Sequence, residues 1–369
     1  MAVSKVGPTG LSSAVGALGK NVIINGAHTV DQRSAETRSG LGAADVMVDD
    51  MWELISAGSS SSRWTASVET AAGPRDNAKW LKFLCTTGDA SPGAAEAAYI
   101  IQKIEGQHAQ SLMNTATTGV RDMTVSAYFI ASLASGSFPA KVCISFATFD
   151  GTGRQFLSDQ SITAASTWQK VSFTIPADAT AELANDNGAG AAIVIGLVGG
   201  SNSVAAAGWT NNATDFITSN TQNWGATADN FIGYTDFQLE PGPVATDFEF
   251  EPQSVTLTKC QRYLRYVSSG SDIPLALGRS NTTTIAYCTF PLAPVMRAAP
   301  TLSFGAATDF QLNYAGASRA LTALSQSSVL SSVSTLQLTI SGGIIAAAVP
   351  VHLQFDGGGT RYLQWSAEL

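Results

Sequence analysis

The stretch Met123-Thr124-Val125-Ser126-Ala127-Tyr128-Phe129-Ile130 decides the fold. Val125, Ala127 and Phe129 share one parity, and Thr124, Ser126 and Tyr128 the other. Successive side chains of a strand point to opposite faces, so this rhythm places one set in a core and the other towards solvent. The pattern recurs outward from that stretch. Residues 141–149 carry Val142, Ile144 and Phe146 in phase. Residues 171–175 carry Val171, Phe173 and Ile175, with Trp168 just upstream, and residues 231–239 form a further strand candidate. Residues 191–198 are a continuous apolar run, the pattern of a strand covered on both faces. Turn chemistry separates the runs at Asp150-Gly151-Thr152-Gly153, Asn187-Gly188 and Gly199-Gly200. Residues 94–104 read equally as a helix dense in Ala and Glu or as another strand. So many short strands predict an all-β chain built on a jelly-roll β-sandwich.

Gly242-Pro243 and Glu251-Pro252 mark a boundary, since proline cannot donate to a sheet ladder. The chain divides on this reading into a Gly-rich arm (residues 1–20), a jelly roll (21–250) and a second, smaller β-sandwich (251–369). In the last segment, residues 282–290 are β-rich and residues 335–340 alternate Leu336, Leu338 and Ile340. Residues 349–355 set Val349, Val351, Leu353 and Phe355 against Pro350, His352 and Gln354. Pro350 there marks an edge strand or a strand start. Tyr362, Leu363 and Trp365 read as packed. No repeat of 20 to 50 residues is present, which excludes propellers and solenoids.

The chain has 369 residues, 45% hydrophobic and only 13% charged, with a net charge of -8. Its surface must therefore be covered by Ser, Thr, Asn, Gln, Gly and Ala, which suits an extracellular particle or an oligomer. A cation-rich face for nucleic acid is excluded. The nearest thing to a basic cluster is Lys259, Arg262 and Arg265, which reads as one strand's polar face. Cys85, Cys143, Cys260 and Cys288 form no CxxC pair, so a zinc ribbon is excluded and free thiols are expected. No run of 18 apolar residues suggests membrane insertion.

Catalytic signatures are lacking. His28, His108 and His352 sit in three separate segments, and no GxSxG elbow, Walker A or dinucleotide fingerprint appears. Asp49 and Asp50 are adjacent, and adjacent strand residues point apart, so they are not expected to share a site. Asp229 and Asp236 are the other acids near the boundary. The chain reads as a non-enzyme. Trp209 and Trp224, in an Asn/Thr-rich stretch from 208 to 230, are the candidates for a sugar platform. Asn211, Asn212, Asp215 and Asn223 would supply its polar groups. The alternative is that each Trp plugs one end of the core. No cofactor is expected. A structural Ca2+ is compatible with a jelly roll, although no EF-hand spacing occurs.

Five segments, in order, resemble phage tail-fibre and appendage proteins with a carbohydrate-binding-module-like jelly roll and a small C-terminal β domain. The first is Asn21-Val22-Ile23-Ile24-Asn25-Gly26 with Gln32-Arg33 and Asp49-Asp50-Met51-Trp52, where Met51 stands in place of the family's Arg. The second is Gln102-Lys103-Ile104-Glu105-Gly106 followed by Thr124-Val125-Ser126-Ala127-Tyr128. The third is Trp168-Gln169-Lys170-Val171 through Ile175-Pro176. The fourth is Phe237-Gln238-Leu239-Glu240-Pro241-Gly242 with Ala245-Thr246-Asp247-Phe248-Glu249, running into Cys260-Gln261-Arg262-Tyr263. The fifth is Pro294-Val295-Met296-Arg297-Ala298-Ala299-Pro300-Thr301. The resemblance implies a virion protein and homotrimeric assembly. It also implies contact with other virion proteins through residues 1–20 and adsorption to a host cell-surface glycan. Such a protein is assembled in the host cytoplasm and is extracellular after lysis, in keeping with an N-terminus that lacks a secretory h-region. A secreted carbohydrate-binding module and a polysaccharide depolymerase are the alternatives. The position on the particle stays open among tail fibre, neck fibre, baseplate and head fibre.

Overall fold

A computed structural model describes residues 19–33, 37–38, 46–58, 63–76, 78–113, 118–211, 214–269, 274–341, 348–357 and 361–369. Of the arm at residues 1–20, all but Gly19 and Lys20 lies outside them. The chain forms two compact units, Met1–Thr256 with Leu369, and Leu257–Glu368.

In the first unit the strands are β1 (Thr37–Arg38), β2 (Val46–Asp49), β3 (Trp52–Ala57), β4 (Trp64–Glu69), β5 (Trp80–Cys85), β6 (Ala97–Glu105), β7 (Thr118–Val120) and β8 (Met123–Ser132). They continue as β9 (Ala140–Thr148), β10 (Arg154–Ile162), β11 (Gln169–Ile175), β12 (Asp178–Glu182), β13 (Ala189–Gly199), β14 (Gly208–Thr210) and β15 (Phe231–Pro241). A six-stranded sheet, β1-β4-β5-β15-β8-β11, packs against a seven-stranded one, β14-β10-β9-β13-β6-β3-β2, and β12 pairs with β7. The alternating sets meet between the two large sheets. Leu81, Phe83, Val125, Ala127 and Phe129 come from one side, and Val142, Ile144, Phe146, Ile193 and Ile195 from the other. The result is the jelly-roll sandwich that the alternation predicts.

Residues 94–104 resolve as strand β6. The apolar run becomes β13, central between β9 and β6. Its second face is covered from outside by Phe216 and Ile217, which pack with Ala192, Val194 and Ile101.

The division between units falls within a helix, α1 (Gln253–Gln261), which the sequence reading missed. Val255, Thr256 and Thr258 are β-branched and disguise it. The supposed polar strand face is thereby split. Lys259 lies in the last turn of α1, where a cation suits the helix dipole, and Arg265 lies on the next strand.

The second unit contains β16 (Leu264–Ser269), β17 (Pro274–Ser280), β18 (Ile285–Pro291), β19 (Thr301–Phe304), β20 (Phe310–Tyr314), β21 (Ala317–Leu330), β22 (Val333–Ile340), β23 (Pro350–Phe355) and β24 (Arg361–Ser366). It is all-β as read, but six of its strands close into a barrel, β17-β18-β22-β21-β20-β23, in place of two facing sheets. Closure leaves these strands no free edge. Leu336, Leu338, Val351, Leu353 and Phe355 fill the interior, and the sheet β16-β24-β19 adds Leu363 and Trp365 to the same core. Pro350 opens β23, opposite Arg279 near the end of β17, so it marks a strand start inside a closed barrel.

Candidate functional site

The residues that carry the sequence resemblance are occupied in holding the sandwich together. Asn21 Oδ1 accepts from the amides of Ile23 (3.0 Å) and Leu239 (3.1 Å), and its Nδ2 donates to the Phe237 carbonyl. Gln102 satisfies both backbone groups of Ile24, accepting at 2.8 Å and donating at 2.9 Å. Gly26 lies so close to β15 that a Cβ there would sit 2.1 Å from the Phe237 carbonyl oxygen. Residues 21–30 thus seal one end of the sandwich. At the other motif, Glu240 accepts from Thr246 N (2.8 Å) and Thr246 Oγ1 (2.7 Å), and Glu249 N donates to Gln238 Oε1 (2.9 Å). These bonds fold residues 243–249 back over β15.

Under that seal lies a buried polar cluster. His28 Nδ1 is 2.7 Å from Asp49 Oδ2, and Asn25 Nδ2 donates to the same carboxylate at 3.1 Å. Burial pushes His28 down to about 3 despite Asp236 and a backbone hydrogen bond at Tyr234, so the imidazole is neutral. Burial and the neighbouring Asp49 push Asp50 up to about 7, against Gln32 and Arg33. The expectation that Asp49 and Asp50 point apart fails here. Asp50 lies beyond the end of β2, in the turn before β3, so strand alternation does not govern it, and both carboxyls are buried, Asp49 against His28 and Asn25 and Asp50 against Gln32. They are closed off from solvent and offer no polymer a catalytic pair. Asp229 caps a turn at Cys85, its amide donating to the Cys85 carbonyl at 2.9 Å, whereas Asp236 pairs with Arg75.

The sugar-platform candidates do not form one site. Trp224 is 0% exposed in the core and presents no face to a ligand. Trp209, half-buried on β14, packs on Phe146 and Phe156, lies 5.7 Å from the Arg154 guanidinium, and donates through Nε1 to the Pro176 carbonyl at 2.9 Å. Asn211 is exposed and accepts from Arg154. Asp215 is buried, and Asn212 lies outside the described residues. Asn223 braces the base of the loop, donating to the Asp89 carbonyl and accepting from the Gly225 amide. Each Trp therefore packs the sandwich, the alternative reading of the sequence.

A different aromatic surface stands on the outer face of the six-stranded sheet. In β5, Leu81, Phe83 and Cys85 face the core, so Trp80 and Lys82 lie on the other face, where Trp80 is buried (6% exposed) and Lys82 half-buried. In β8, Tyr128 faces out and is half-buried. Gly233 pairs with Lys82 on one side and Ile130 on the other, and Thr235 pairs with Tyr128, so these side chains share one face. Trp168, half-buried, meets Trp80 edge-to-face with centroids 5.3 Å apart. Both indole N–H groups are anchored in the loop before β5. Trp80 Nε1 donates to Ala71 O at 2.8 Å and Trp168 Nε1 to Ala72 O at 2.6 Å. Gly233 makes room, since a Cβ there would sit 2.5 Å from the Trp80 ring. Lys82 Nζ lies 4.9 Å over the Phe231 ring on the same face. The surface offers the half-buried Trp168 indole, backed edge-to-face by the buried Trp80, with a phenol and an ammonium on the same face, which suits stacking against the C–H face of a pyranose with polar contacts at its edge. Trp80 and Tyr128 fall in phase with Lys82 and Ser126, on the parity that alternation assigns to solvent, but Thr124, Ser126 and Trp80 on that parity are buried, so this face of the sheet is largely covered.

Among the described residues no group of three or more His, Cys, Asp or Glu converges to hold a metal ion. The four cysteines are free and buried. No helix among the described residues is long and apolar enough to cross a membrane. No family model matches the chain, and no curated protein matches it. Among solved structures, the chain is similar to TmCBM61 in complex with β-1,4-galactotriose, at 10% identity and TM-score 0.28, over 60% of this chain and 99% of that one. It is similar to the family 11 carbohydrate-binding module of Clostridium thermocellum, in complex with a mixed-linked tetrasaccharide, at 9% identity and TM-score 0.27, over 58% and 100%. A third similarity is to the enzymatically active domain of tailspike protein 4 of bacteriophage CBA120, at 11% identity and TM-score 0.31, over 60% of this chain but only 22% of that one. Likeness at this level assigns neither a family nor a ligand.

Proposed function

We propose that the first unit binds a saccharide on the outer face of the six-stranded sheet, over Trp168 and Tyr128, and that the protein is a non-enzymatic structural subunit of a bacteriophage appendage. The observation that carries the binding reading is the half-buried Trp168, set edge-to-face on the buried Trp80 with both indole N–H groups held by loop carbonyls. Indoles fixed before a ligand arrives lose little entropy on binding. The virion role, with adsorption to a host glycan, is supported by the five ordered motifs. Homotrimeric assembly is supported by that resemblance and by the low charged fraction of 13%. The non-enzymatic reading is supported by the burial of Asp49 and Asp50 and the pairing of Asp236 with Arg75.

An array of bacterial surface polysaccharides tests the binding reading. The protein should retain one or more glycans. Trp168→Ala should weaken them roughly 10- to 30-fold, which is the ~1.4–2 kcal/mol of one aromatic anchor. Trp209→Ala should leave them unchanged. Loss with Trp209→Ala alone would move the site to β14, and a blank array would reject the reading. Light scattering at micromolar concentration should give a trimer, and a monomer would count against the appendage role. Incubation with a retained polysaccharide should release no reducing ends.

A further inference from the structure

We infer that a pocket at the rim of the first unit, lined by Ala27, Arg75, Ala78, Lys79, Phe250 and Gln253 among others, takes the carboxylate of a hexuronic acid residue. The inference deepens the saccharide reading and rests on it only in that the ligand is a glycan. The pocket encloses about 580 Å³, solvent at its mouth included, which is ample for one pyranose.

Arg75 is held there by Asp236. Its Nε donates to Asp236 Oδ2 at 3.0 Å, and its Nη2 pairs with Oδ1. Asp236 is 3% exposed and sits at φ 53° on the irregular step of β15 between Thr235 and Gln238, so its carboxylate is rigidly placed. The guanidinium therefore has a fixed plane, and its Nη1 makes no hydrogen bond among the described residues. Lys79 supplies the second cation. Its carbonyl accepts from Thr235 Oγ1 at 2.6 Å, which fixes the backbone, while its ammonium makes no bond or ion pair among the described residues. Asp76, exposed on the same loop, does not line the pocket.

Two cations against one carboxylate leave one positive charge, the match for a monoanion. A phosphomonoester would bring close to two negative charges to that single surplus. The walls select the rest of the ligand. Phe250 is 59% exposed, and its ring lies 4.3 Å from the Arg75 guanidinium, so it is held in place with most of its surface open. Ala27 and Ala78 extend the apolar wall, and Gln253 is fixed by its donation to the Thr29 carbonyl at 3.1 Å. A carboxylate carried on a ring with an apolar C–H face satisfies both halves of the site.

Saturation-transfer NMR on the full chain tests the assignment. The probes are methyl glucuronide, methyl galacturonide, the corresponding neutral methyl glycosides and glucose 6-phosphate. At least one uronide should bind ten or more times tighter than its neutral counterpart. Lys79→Ala should reduce uronide binding roughly tenfold, and Lys79→Arg should restore most of it, both variants melting as the parent does. Equal binding of uronides and neutral glycosides, or a silent Lys79→Ala, would overturn the inference. Tighter binding of glucose 6-phosphate would overturn it as well. The two readings separate through Trp168→Ala. If that variant keeps the uronide preference but loses array binding, both stand. If Trp168→Ala is silent everywhere while Lys79→Ala is not, the pocket stands and the sheet face falls.

Discussion

Asp50 and His28 are buried in one cluster and respond to pH in opposite senses. The folded His28 pKa, about 3, lies below its ordinary 6.5, so between those values only the unfolded chain holds its proton, and stability is lost as pH falls. Asp50, raised from 3.8 to about 7, holds its proton longer when folded, so its contribution is full at low pH and is lost as pH rises through that window. Between about pH 4 and 6.5 the two slopes offset each other. Asp50→Asn should remove one of them. Its unfolding free energy, from urea titrations at pH 4, 5 and 6, should rise with pH relative to the parent, by at most about 1.4 kcal/mol per pH unit. Parallel curves would refute this coupling. Gly26→Ala should cost about 2–4 kcal/mol in the same assay, because its Cβ has nowhere to go beside the Phe237 carbonyl. At this scale the sequence was legible for chemistry and misleading for placement. Asp49 and Asp50 alternate on paper, but β2 ends at Asp49 and Asp50 belongs to the following turn, so both are buried. Trp224 lies in a polar stretch, yet its ring is core.

Among elements, β6 shows how a motif becomes structure. Gln102→Leu would leave the Ile24 amide and carbonyl unpaired under the seal, and should destabilise by about 2–4 kcal/mol in urea unfolding. A change below about 0.5 kcal/mol would mean that water replaces the side chain. On β15, Gly233→Ala should push the Trp80 ring aside and weaken saccharide binding several-fold, with a stability cost of about 1–3 kcal/mol. Unchanged affinity on the polysaccharide array would separate Trp80 from the site. The strands β8, β9, β11 and β22 follow directly from alternation, which is a local property. Helix α1 was hidden because its β-branched residues imitate a strand. The placement of Trp80 was hidden for another reason, since it shares parity with a lysine off the core face and is buried by tertiary contact with Trp168.

Across the whole molecule, long-range pairing sets what local pattern cannot. β15 lies between β5 and β8, with Phe231 opposite Leu84 and Ser132, and no stretch of sequence announces that order. Closure of the second unit into a barrel is likewise a property of six strands together. The same pairing creates the proposed site, because Trp80, Gly233, Tyr128 and Trp168 meet only when β5, β15, β8 and the approach to β11 are adjacent. The chain has seven tryptophans, of which Trp52, Trp64 and Trp224 are fully buried in the sandwich core. Fluorine NMR of protein carrying 5-fluorotryptophan, titrated with a glycan retained on the array, reports on each of them separately. The Trp168 and Trp80 resonances should shift on binding while those of Trp52, Trp64 and Trp224 stay still. A bound glycan that moves Trp209 alone, or no tryptophan at all, would contradict the aromatic sheet face as the place where the saccharide lies.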